Sequence, residues 1–140
     1  MENELLTEYV HFRMSDDGIL EAKYLPEVRK ITEPMSRAIV ATRKTFQGPK
    51  KVCLLVTASK GIQISKEARD YFAGPDGIAG LIATVILIPD NNLVIATLAN
   101  WLIQVQRPQM PTRIERSPEK AREWLLKKQK LTANAKRQQD

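Results

Sequence analysis

The sequence predicts a single-domain α/β fold: a mixed β-sheet opened by an N-terminal hairpin and packed by about four helices. Three observations carry this prediction. Residues Tyr9–Met14 alternate apolar and polar and run into Asp17-Gly18, a pair that tolerates positive φ and favours a hairpin turn. Two runs, Val52-Cys53-Leu54-Leu55-Val56 and Ala83-Thr84-Val85-Ile86-Leu87-Ile88, are apolar without alternation, as strands covered on both faces are. Between and after them lie stretches of helical periodicity bounded by Gly-Pro or Ser-Pro.

Taken in order, the first strand presents Val10, Phe12 and Met14 on one face and Tyr9, His11 and Arg13 on the other. After Ser15-Asp16-Asp17-Gly18 the run Ile19–Leu25 pairs back, with Leu20, Ala22 and Tyr24 sharing the inner face. Thr32 is placed to cap a helix that has Glu33 and Pro34 in its first turn and ends at Gly48-Pro49. A second helix is predicted from about Ser65 to Ala73, with Ala68, Tyr71 and Phe72 on one stripe and Gly74-Pro75 as its stop. The glycine-rich run Gly74–Gly80 follows a helix and precedes a strand, the reverse of a nucleotide-binding loop, so it reads as a flexible connector. Leu93–Val105 reads as a helix that is apolar nearly all round, with Val94, Leu98, Trp101, Leu102 and Val105 forming one stripe. Pro108-x-x-Pro111 is a turn leading to a short strand at Thr112–Ile114. Ser117-Pro118 starts the last helix, which turns Ala121, Trp124 and Leu125 inward. The domain is therefore expected over residues 1–131, and the polar, basic residues 132–140 are expected to form a frayed tail.

Composition narrows the function classes. One cysteine and one histidine among 140 residues allow neither an internal disulfide nor a Cys/His zinc site. The net charge of +6 resides in residues 107–140, which hold 10 basic against 4 acidic side chains, whereas residues 1–106 are balanced. Lysines at the end of a helix complement its dipole, so the charge does not by itself indicate nucleic acid, and none is expected as a partner. Pro89-Asp90-Asn91-Asn92 splits the most apolar region into pieces of 8 and 13 residues, too short for a membrane span of roughly 20 residues. Met1 is followed by Glu2, Glu4 and Glu8 rather than by a basic, then apolar, leader, which gives a cytoplasmic expectation.

Three stretches together resemble the SpoIIAA-like proteins, a bacterial group related to STAS domains and, by fold, to CRAL-TRIO lipid-binding domains. They are Ile64-Ser65-Lys66-Glu67-Ala68-Arg69-Asp70-Tyr71-Phe72, then Asn100-Trp101 with Arg107-Pro108-Gln109-Met110-Pro111-Thr112-Arg113, then Ala121-Arg122-Glu123-Trp124-Leu125. The resemblance covers roughly residues 5–127 and departs at Glu115, where the family pattern has an aromatic residue. It implies a mixed α/β sandwich with a regulatory or binding role rather than catalysis. In the related antagonist proteins a serine in an Asp-x-Ser-Gly-type motif is phosphorylated. Here the corresponding loop reads Thr57-Ala58-Ser59-Lys60-Gly61, so that switch motif is not intact.

The candidate chemistry is correspondingly sparse. Ser59, Ser65 and Arg69 are the candidate anion or phosphorylation site, although Ser65 reads first as a helix cap and Arg69 as a solvated side chain. His11 lies on the polar face of a strand with no nucleophile or carboxylate pattern beside it, and Cys53 lies inside an apolar strand. No catalytic constellation, cofactor site or metal site is expected. The apolar stripe Val94, Leu98, Trp101, Leu102 and Val105 is expected first to be covered by the sheet and the final helix, and otherwise is the candidate surface for a dimer or an apolar ligand. The expectation is a non-catalytic regulatory or protein-interaction module that self-associates as a dimer, with a regulatory protein as a further candidate partner. The alternative is a carrier or sensor of a small apolar, lipid-like molecule.

Overall fold

A computed structural model describes residues 3–58, 61–88 and 110–139. The five predicted strands and an edge strand that the sequence reading did not anticipate, β1, assemble into a six-stranded mixed sheet in the order β1-β2-β3-β5-β7-β8. Its members are β1 (Glu4–Leu6), β2 (Val10–Met14), β3 (Leu20–Tyr24), β5 (Val52–Thr57), β7 (Leu81–Leu87) and β8 (Thr112–Glu115). The first three pair antiparallel, and β3, β5, β7 and β8 run parallel. A separate parallel pair joins β4 (Lys30–Ile31) to β6 (Gln63–Ile64). The helices are α1 (Glu33–Gln47), α2 (Lys66–Ala73), the single turn α3 (Pro75–Ile78) and α4 (Pro118–Gln139).

The hairpin alternation translates directly into a core. Val10 faces Tyr24, Phe12 faces Ala22 and Met14 faces Leu20 across the β2–β3 ladder, and all but the half-buried Met14 are buried. The turn is longer than an Asp-Gly pair requires, because Ser15 joins it. The Ser15 hydroxyl accepts from the Ile19 amide at 3.2 Å, and its one proton faces both the Asp17 carboxylate and the Ile19 carbonyl. Gly18 takes φ +85°, the region that side-chain-bearing residues rarely adopt.

The strands β5 and β7 are buried on both faces and divide the interior in two. Leu54 packs with Phe12, Leu20, Ala22, Ile39 and Ala68 beneath α1 and α2. Cys53 and Leu55 pack with Ala83, Val85, Leu87, Ala121 and Leu125 beneath α4. One extra residue in β7 produces this division locally: Val52 pairs with Leu81, yet Leu54 pairs with Thr84. Leu81 thereby joins the first core and Ala83 the second.

Three expectations need correction. Gly74–Gly80 is not a loose connector: Gly74 ends α2, and Pro75 occupies the first turn of α3, where its missing N–H costs nothing. Thr32 holds the N-cap position of α1 without a side-chain capping bond; its carbonyl instead accepts from Ser36 N–H at 2.9 Å. The last helix continues to Gln139, through the residues expected to fray. Ala, Lys, Gln and Arg there are good helix formers, so propensity extends the helix where no apolar anchor does. Ala121 and Leu125 are fully buried and Trp124 half-buried, as the periodicity requires. Glu115 is half-buried and pairs with Arg113 at 3.5 Å.

Candidate binding site

Among the described residues the first core borders a partly open cavity of about 560 Å³. Its floor is the inner face of the sheet, where the alternation of β2, β3 and β5 places Val10, Phe12, Ala22, Leu54 and Val56. The helices contribute Val40, Phe72 and Ala73 from above, and α3 adds Gly77 and Ile78. Thr84 and Ile86 of β7, with Met110 and Thr112, close the side toward β8. Thr84 and Thr112 are the polar members there, and both hydroxyls lie close to the Met110 sulfur, at 3.5 and 3.7 Å. The volume is within the range of about 300–1,000 Å³ typical of sites for small organic molecules.

Four larger polar side chains line this cavity, the exposed Gln63 and three others. Arg43 is 3% exposed, because it sits on the buried stripe of α1 one turn beyond Ile39 and Val40. Its guanidinium donates to the Gly77 and Ala79 carbonyls, both at 3.1 Å, and to Gln47 Oε1 at 2.6 Å. Burial pushes its pKa down to about 10, so it stays charged at neutral pH. Tyr24 is buried, and burial pushes its phenol above the ordinary range. Arg69 is half-buried and donates to the Ile64 carbonyl at 3.1 Å.

Of the proposed anion site, the structure places Ser65 and Arg69 on the first turn of α2. Ser65 Oγ accepts from Ala68 N–H at 3.1 Å and so caps the helix, while Arg69 turns back to Ile64. Ser59 lies outside the described residues, as do Val94, Leu98, Trp101, Leu102 and Val105. The periodic reading did not single out Arg43. The available signal was an arginine at the i+3 and i+4 positions from Val40 and Ile39, on an otherwise apolar stripe.

Elsewhere the side chains serve structure. Cys53 is buried, its thiol donates to the Leu125 carbonyl at 3.4 Å, and burial pushes its pKa up to about 11. His11 lies on the polar outer face of the hairpin, 3.4 Å from Glu4. Arg122 of α4 is held by Asp17 and Glu21, which ties the last helix to the hairpin turn. Among the described residues no three His, Cys, Asp or Glu side chains gather as metal ligands. No helix of the described residues is long and apolar enough to cross a membrane.

No curated protein and no solved structure matches the chain. The model of a family described as a domain of unknown function, DUF7793, matches residues 12–129. That match runs from the central residue of β2, through the sheet and the cavity, into the last helix, and the chain belongs to the DUF7793 family.

Proposed function

We propose that this chain is a non-catalytic, cytoplasmic regulatory module of the SpoIIAA/STAS-like type that senses or carries a small apolar, lipid-like molecule. The observation that carries the reading is the cavity of about 560 Å³, walled chiefly by aliphatic and aromatic side chains between the sheet and its helices. The mixed α/β architecture and the three stretches resembling the SpoIIAA-like group support the regulatory part. Regulation by a phosphoserine switch draws less support, because the Ser65 hydroxyl is engaged as a helix cap.

Native mass spectrometry of the full chain purified from its own host tests the reading. A bound adduct of lipid mass, released by organic solvent, is the expected result. A defined oligomer without adduct would favour a self-associating protein-interaction module instead. Salt-sensitive copurifying nucleic acid would overturn both readings.

A further inference from the structure

The residues described as lining the cavity include two arginines, Arg43 and Arg69, and no carboxylate. Arg43 is the more informative of the two, because it is buried while Arg69 is half-buried. The three bonds of Arg43 go to neutral acceptors, two backbone carbonyls and one side-chain amide. A guanidinium has five N–H donors, so its Nε–H and one Nη1–H are without a partner among the described residues. A buried charge facing only neutral dipoles is poorly compensated, and a carboxylate oxygen accepting from one of the free N–H groups would supply the missing counter-charge.

The rest of the cavity fixes the shape of the molecule that would bring this carboxylate. Arg43 lies at the end of the parallel strands where Val52 pairs with Leu81, since it holds the carbonyls of Gly77 and Ala79 just before β7. Tyr24 lies at the opposite end, beyond the Lys23–Thr57 pair. The six residues of β5 separate these ends by about 17 Å at some 3.3 Å per residue. The sheet surface between them consists of Leu54, Val56, Ala22 and Ile86, which suits a hydrocarbon chain.

We propose that the cavity takes an anionic amphiphile, a chain carboxylic acid whose carboxylate pairs with Arg43 and whose hydrocarbon lies along the sheet. This rests on the apolar-ligand reading above and names its ligand class. Tyr24, whose phenol has no hydrogen-bond partner among the described residues, and Arg69 are the rival donors for the head group at the other end.

Calorimetric titration of the delipidated full chain with decanoate and with decanol tests the proposal. Decanoate is expected to bind at least tenfold more tightly, and Arg43→Gln to bring the two within about twofold while decanol binding persists. Equal binding of the two probes by the unaltered chain would overturn the Arg43 assignment and leave the apolar-ligand reading standing. Failure of both probes to bind would overturn both. A preference that survives Arg43→Gln but is lost in Arg69→Gln or Tyr24→Phe would place the head group at the opposite end, against the proposal. Should Arg43→Gln not fold, carbon-13 titration of carboxyl-labelled decanoate on the unaltered chain decides. The bound carboxyl must stay ionised to lower pH than the free acid, and an unchanged or raised titration overturns the proposal.

Discussion

Replacing Gly77 by alanine tests the seat of α3, and with it one wall of the cavity. A β-carbon built at Gly77 would lie 2.2 Å from the Phe72 carbonyl oxygen, 2.4 Å from that of Tyr71 and 2.5 Å from the Phe72 carbonyl carbon. These are backbone atoms of the last turn of α2, so no side-chain rotation relieves them. Restoring ordinary contact needs a shift of about 1 Å. Tyr71 O accepts from Gly74 N–H at 3.1 Å, and Gly77 O accepts from Arg43, so retreat in either direction strains a bond. Overpacking of this kind costs about 1–3 kcal/mol, and the upper end applies where backbone must move. A weakened hydrogen bond adds about 1 kcal/mol, and the better helix propensity of alanine returns up to about 1 kcal/mol. The expected loss is therefore about 3 kcal/mol, or roughly 10 °C in Tm for a domain of this size. Gly74→Ala is the matched control: its β-carbon would meet Asp70 O at 3.2 Å and Tyr71 O at 3.5 Å, within reach of small adjustments, so it should cost less than about 1 kcal/mol. Urea denaturation followed by far-ultraviolet circular dichroism measures both. A Gly77→Ala chain no less stable than Gly74→Ala, at equal m-values, would refute the packing of α3 against α2.

Two further outcomes follow from local geometry. Ser65→Ala removes the acceptor for Ala68 N–H and should cost about 1 kcal/mol in the same denaturation assay, with Ser65→Asp recovering most of it; a neutral alanine variant would show that the cap is dispensable. Burial acts against the charge of Asp17, but the Ser15 hydroxyl and the Arg122 guanidinium outweigh it and hold the carboxyl below its ordinary value of 3.8. A carboxyl lowered by folding stabilises the native state at neutral pH, and that contribution disappears as pH falls through the folded value. The stability difference between the unaltered chain and Asp17→Asn should therefore be about 1 kcal/mol or less at pH 7 and shrink in acid below the ordinary carboxylate range. A difference that is constant with pH would rule out the ion pair with Arg122 as its source.

Five of the six strands of the main sheet were legible because their signals are local, whereas the three-residue β1 was not. Alternation in Val10–Met14 and unbroken apolarity in Val52–Val56 each report how many faces of a strand are covered. The β4–β6 pair was not legible, since two two-residue strands separated by more than thirty residues carry no period. The turn α3 was hidden for a different reason: Pro75 reads as the end of one helix and equally as the first turn of another, and only the contact of Gly77 with α2 decides. The helix cap at Ser65 could be read from sequence spacing, whereas the burial of Arg43 depends on carbonyls more than thirty residues away. Charge marks a residue as exposed until its nonlocal partners are known.

The division of the interior by β5 also separates distance along the chain from energetic coupling. Cys53 and Leu54 are covalent neighbours, yet they belong to different cores, and their truncations act on different helices. Phe12 and Leu54 share one core and draw on the same free volume, although more than forty residues lie between them. Substitutions on opposite sides of the sheet should accumulate almost independently, and those on one side should not. Truncations beneath α4 are therefore expected to leave the lining of the cavity in place, because none of the residues of that second core lines it.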